Sequence, residues 1–149
     1  MNPFDLKAAL LAKHAQHPVI IHVPIALFII SVALDLLAIW KSNPMMAKAA
    51  YYNLIGAALT APVAIASGLT AWQWQLEGQR LKGILLMHLI LGCASSLLIW
   101  IVLLVHLRAR GSHGGVPPSY RFPIEAVTVA LVMSTGHLGG FLSGVNGPG

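Results

Sequence analysis

Charge is what this sequence has least of: Lys and Arg number nine, Asp and Glu four, and together they are 9% of 149 residues. Water-soluble domains carry roughly 25% charged residues, so composition argues against a soluble fold. Cysteine is almost absent too. Cys93 stands alone, which excludes a disulfide framework, a CxxC zinc or thioredoxin pattern and the CxxCH signature of covalently attached haem. As a small apolar residue it reads as packing. The formal charge of +5 rests on basic residues at the ends of apolar runs, where membrane proteins meet headgroups. Nothing in that distribution supports a nucleic-acid interface.

What remains is apolar. Hydrophobic residues reach 57% and mean hydropathy is +0.78. Four stretches, about 18–40, 50–74, 83–107 and 123–144, each reach the ~20 residues needed to cross a hydrocarbon core. They must be helical, since lipid satisfies no open backbone group. The connections (41–48, 75–82 and 109–122) are short and polar, and the last is rich in Gly and Pro. Short links make neighbours antiparallel. The expectation is an all-α membrane protein, an antiparallel four-transmembrane-helix bundle over residues 17–145. A short interfacial segment over 1–16 precedes it, with Phe4, Leu6, Leu10 and Leu11 set among Asp5, Lys7 and Lys13. The first apolar run, about 23 residues long, lacks a small-residue cleavage site and reads as a retained anchor. Trp40, Trp72, Trp74, Tyr51, Tyr52 and Tyr120 fall near segment ends and mark the interface.

Alternating helix directions decide where the histidines go. Let the first face be the one bearing the N-terminus: His17 and His22 begin the first helix there, His88 lies near the start of the third, and His137 near the end of the fourth. At 1.5 Å per residue, His22, His88 and His137 sit roughly 6–11 Å inside their helix ends, so their depths agree to about a turn. Polar side chains at such depth face the bundle and find partners. Neutral imidazole is a common metal ligand, one nitrogen on the ion and the other on an acceptor. For one histidine alone, a hydrogen-bonded packing role is the simpler account. For the set, ligation of iron in a haem is the better one, since haem takes axial imidazoles from facing helices.

Small residues surround these imidazoles. GAALTAPVAIASG (56–68) in the second helix includes Gly68, and GHLGGFLSG (136–144) in the fourth repeats Gly136, Gly140 and Gly144 every four residues. Such spacing permits close helix approach and equally a flat cofactor edge. In HPVIIHVPIAL (17–27), Pro18 suits a first helical turn and leaves His17 as a cap or interface group. Pro24 removes a helical donor, and His22 is the stronger candidate ligand. His106 and His113 fall toward the second face and read as solvated, and His14 belongs to the interfacial segment. Asp35 reads as the sole acid within a span, placed to pair with Lys41, Lys48 or the end of the third helix.

HPVIIHVPIALFIISVALDLLAIW resembles the opening of a bacterial four-helix membrane family known as domain of unknown function two-two-three-one. The resemblance rests on His17, Pro18, His22, Pro24 and Asp35. ASGLTAWQW, RLKGILLMH and GHLGGFLSGVNG resemble its later segments, although Ala71 stands where the family has Asp, and Ser143 and Gly144 where it has Val-Tyr. The resemblance implies a haem-binding membrane protein working beside Rieske iron-sulfur partners in quinone-linked electron transfer. Ala71 removes any proton-handling role tied to that Asp.

The expected function is a membrane-embedded b-type cytochrome subunit, more an electron-transfer component than a self-contained enzyme. It would bind one or two haem b groups through His22, His88 and His137 with His17 as a further ligand, and lean on Gly68, Gly136 and Gly140. Its partners would be lipid, quinone or a Rieske or multihaem redox protein, within a larger complex. A structural anchor subunit and a metal or proton transporter subunit are the alternatives. Basic residues count four on the first face (Lys7, Lys13, Arg80, Lys82) and five on the second (Lys41, Lys48, Arg108, Arg110, Arg121). That bias places the second face in the cytoplasm, and the histidine face with both termini outside a bacterial inner membrane.

Overall fold

The computed structural model describes residues 13–111 and 117–144. Four helices follow one another: α1 (Lys13–Trp40), α2 (Pro44–Gln75), α3 (Gly83–Arg110) and α4 (Arg121–Leu142). Each contains a stretch long and apolar enough to cross a membrane, and no strand occurs among the described residues. The expected interfacial segment lies outside the described residues up to Ala12; from Lys13 the chain is already helical. His113 also lies outside them.

The largest departure from the expected boundaries is at α2, which starts six residues early, at Pro44 rather than 50. The reason is local. Asn43 is extended, and its side-chain oxygen accepts from the Met45 and Met46 N–H groups at 2.9 and 3.3 Å, while Pro44 occupies the first helical position, where its missing N–H costs nothing. Only Lys41–Asn43 are left for the turn, with Ser42 at φ 49°. The second turn is pinned by Trp72, whose Nε1–H donates to the Gln79 carbonyl at 2.9 Å.

α1 lies along α2 and α3 along α4, and the two hairpins meet mainly through α2 and α3, with α1 and α4 touching at few points. Between α1 and α2 the fit depends on small side chains: Ala50, Ala57, Ala58 and Ala61 are buried around Leu54 and Phe28. Small residues bring helix backbones close, so dispersion and polar contacts can act where lipid removes the hydrophobic drive. Ser31 adds one such contact, donating to the Ala50 carbonyl at 2.7 Å. Ile99, Val102, Leu103 and Val132 complete this core. It occupies the middle and second-face end. Toward the first face, no described side chain in 16–23, 62–74, 83–94 or 133–144 is buried.

Candidate functional site

The less tightly packed end is where two imidazoles meet. His17 from α1 and His88 from α3 face each other diagonally across the bundle, with ring centres 6.2 Å apart and planes at 86°. Each is seated in its own hairpin by the same two means. The partner helix offers an acceptor for Nδ1 and a glycine against the ring. For His17, Nδ1 lies 2.8 Å from Ser67 Oγ, and a Cβ on Gly68 would stand 3.0 Å from its Cε1. For His88, Nδ1 lies 3.0 Å from the Thr135 carbonyl, and a Cβ on Gly139 would stand 3.2 Å from its Cε1.

These contacts fix the tautomers. A carbonyl only accepts, so His88 Nδ1 carries the proton. Ser67 gives its single hydroxyl hydrogen to the Ala64 carbonyl at 2.8 Å, so its oxygen accepts from His17 Nδ1. Both rings therefore keep a lone pair on Nε2, the form in which imidazole binds a metal while its other nitrogen is held by an outer acceptor. Ser95 and Thr135 extend the polar lining, their hydroxyls 3.5 Å apart.

The expected ligand set is thus brought together only in part: His17 and His88 meet, and His22 and His137 do not join them. His22 is exposed, with Nδ1 turned back onto the Pro18 carbonyl of its own helix. Five residues at about 100° each place it roughly 140° around α1 from His17, so one helix cannot aim both rings inward. His137 is likewise exposed, its ring edge-on to Phe141 with centres 5.0 Å apart. It lies two residues from both Thr135 and Gly139, the residues that face α3, and so falls on the far side of α4. Of the glycines, Gly68 meets a histidine, Gly136 faces open space, and Gly139, next to the expected Gly140, lies against His88. Depth alone was a poor guide. The signal that finds Ser67, Thr135 and Gly139 is angular position relative to the histidine on the neighbouring helix.

The second-face end holds a different polar cluster. Arg121 is buried and donates from Nε and Nη2 to Asp35 Oδ2, both at 2.9 Å, and from Nη1 to the Pro117 and Pro118 carbonyls. Glu125 Oε1 lies 3.2 Å from His106 Nε2 and 3.9 Å from Arg121 Nε. Three expectations change here. His106 is buried rather than solvated, Asp35 pairs with Arg121 rather than with a lysine, and Glu125 is a second acid inside a span. One i,i+4 step on α4 brings Arg121 and Glu125 onto the same face, a pattern readable in RFPIE. With Arg121 drawn inside, the second face loses one basic residue from its count, and the charge bias that oriented the chain disappears. Trp72, expected as an interface marker, donates its indole N–H to the Gln79 carbonyl in the turn that follows α2.

Residues 13–147 match the model of a family described as a predicted membrane protein, DUF2231. No curated protein and no solved structure matches the chain.

Proposed function

We propose, starting from the fact that this chain belongs to the DUF2231 family of predicted membrane proteins, that it is a b-type cytochrome subunit. In this reading His17 and His88 would hold one haem. The observation that carries the reading is the meeting of two imidazoles from different hairpins, ring centres 6.2 Å apart, each with Nδ1 on an acceptor of its own hairpin. Held this way, the rings would offer Nε2 to a haem iron. A single site replaces the two-haem possibility, since His22 and His137 face away from it.

When bound, the haem would supply one-electron chemistry. The chain's own residues do the rest. Ser67 and the Thr135 carbonyl hold each Nδ1–H, which fixes ring direction and raises the basicity of Nε2. Gly68 and Gly139 let the rings come close to the partner helices. Because the pair sits near one membrane face, electrons must come from or go to a partner there, either a quinone within the lipid or a redox protein docked at that end.

The test is optical. Protein purified from a haem-replete host should show a sharp Soret band and b-type bands on reduction. His17→Ala and His88→Ala should each lose most of that absorbance, while His22→Ala and His137→Ala keep it. Colourless, fully stable wild-type protein would instead support the structural-anchor role, with the imidazoles as packing groups.

A further inference from the structure

The polar cluster at the second-face end gathers donor atoms from three helices and is independent of the haem reading. Asp35 comes from α1, His106 from α3 and Glu125 from α4, and one donor atom of each lies within 4.8 Å of the others. All three side chains are buried, Glu125 at 2% exposure. Glu125 Oε1 meets His106 Nε2 at 3.2 Å, but Oε2 is buried with no hydrogen-bond partner, the only such side-chain atom among the described residues. Arg121 does not supply one. Its donors go to Asp35 Oδ2 and to the Pro117 and Pro118 carbonyls, and its Nε stays 3.9 Å from Glu125 Oε1. A buried polar oxygen with nothing to bind is costly and calls for a partner from outside the chain.

A metal ion is the partner that engages all three side chains at once. One imidazole with two carboxylates is a nitrogen and oxygen set: it has no thiolate for Cu(I) or an iron–sulfur cluster, and it includes a ring nitrogen where Ca²⁺ and Mg²⁺ take oxygen. The set suits divalent ions from Mn²⁺ to Zn²⁺. Ligands on a tetrahedral ion with bonds of about 2.0–2.1 Å stand about 3.3 Å apart. His106 Nε2 and Glu125 Oε1 are already 3.2 Å apart, so an ion takes over from their hydrogen bond with little movement. Two carboxylates neutralise a divalent ion, and Arg121 holds Asp35 Oδ2 from outside, as carboxylate ligands are commonly held. Metal binding itself displaces protons from its ligands, so the site does not depend on the charge these groups carry beforehand.

We propose that Asp35, His106 and Glu125 form a binding site for one divalent transition-metal ion of the Mn²⁺ to Zn²⁺ series. The ion cross-links α1, α3 and α4 at the end of the bundle away from the His17–His88 pair. Packing there gives the cross-link a purpose. α1 and α4 touch at few points, and an apolar groove of about 320 Å³ runs between them, lined by Val32, Leu36, Phe122, Glu125 and Ala126. An ion held by Asp35 on one side and Glu125 on the other closes that seam from within, where side-chain packing does not.

The experiment uses the full chain in detergent, stripped with a chelator and then given Zn²⁺ or Mn²⁺ alone. After desalting, wild-type protein should hold one equivalent of metal, and Zn²⁺ should raise its Tm. With Mn²⁺, pulsed electron paramagnetic resonance should show coupling to a single histidine nitrogen. Glu125→Gln, which keeps the shape, and His106→Gln should each lose the bound equivalent and the rise in Tm. His22→Ala, His88→Ala and His137→Ala should keep both, which separates this site from the His17–His88 pair and from the exposed histidines. Wild-type protein that takes up neither ion overturns the assignment however the variants fold. Metal retained by Glu125→Gln, or coupling to more than one histidine nitrogen, overturns it as well.

Discussion

The two ends of this bundle solve the problem of polar groups in a membrane in opposite ways. At the second-face end, Asp35, Arg121, Glu125 and His106 are buried beside a core that includes Phe28, Leu54 and Val102. Arg121 and Asp35 compensate each other there inside the protein. At the first-face end, His17 and His88 are only half-buried. Each is satisfied at one nitrogen by its own hairpin, and the second nitrogen of each is left with a lone pair. The closed end is held by contacts within the chain, whereas the open end leaves two imidazoles half-buried, the pair that the proposed function assigns to haem. A polar cluster paired within the chain reads as structure. A symmetric pair that is complete only on its outer side reads as a ligand set.

Substitutions can break this contrast from either side. The largest stability effect is expected at the closed end, where Arg121→Gln leaves Asp35 ionised and without its partner. Removing one member of a buried pair costs about 3–5 kcal/mol, which thermal unfolding in detergent should show as a marked fall in Tm. Leu54→Ala should cost about 2 kcal/mol or more, since it empties a 1% exposed position with little room to collapse. Met87→Ala, at a position 55% exposed near the open end, should change stability by less than about 0.5 kcal/mol. Equal losses for Leu54→Ala and Met87→Ala would erase the difference in packing on which the comparison stands.

The smallest effect should be the most specific. Gly68→Ala puts a methyl group 3.0 Å from His17 Cε1, so the ring must shift. Overpacking of this kind costs about 1–3 kcal/mol and here should appear as a several-fold weaker retention of haem, read by titrating the purified apoprotein. Gly136→Ala meets nothing within 4 Å and should leave haem binding unchanged. A matching loss in both variants would mean that general helix spacing, rather than the seat of His17, governs the site.

Much of the architecture was legible in the residues. Four apolar stretches, the helix-breaking links and the alternation of direction follow from length and hydropathy alone. That alternation correctly put the histidine-bearing starts of α1 and α3 at one face. What depth could not supply was rotation about each helix. Two residues at equal depth on one helix point apart unless their spacing is near a whole number of turns, and the five-residue step from His17 to His22 is not. Arg121 was misread for a related reason. A basic residue at a helix start looks like a headgroup anchor until a partner on another helix is known, and Asp35 lies 86 positions away. Glu125 was legible as the i,i+4 partner of Arg121 but was hidden by the apolar run around it. The early start of α2 was written in Asn43-Pro44, a cap followed by a first-turn proline.

The most direct test of the central claim is low-temperature electron paramagnetic resonance of the oxidised, purified protein. Two imidazoles bound to ferric haem with nearly perpendicular planes, as the 86° between His17 and His88 requires, should give one low-spin signal of the highly anisotropic kind. A high-spin signal, a rhombic signal from parallel ring planes, or a low-spin signal that persists in His88→Ala would contradict it.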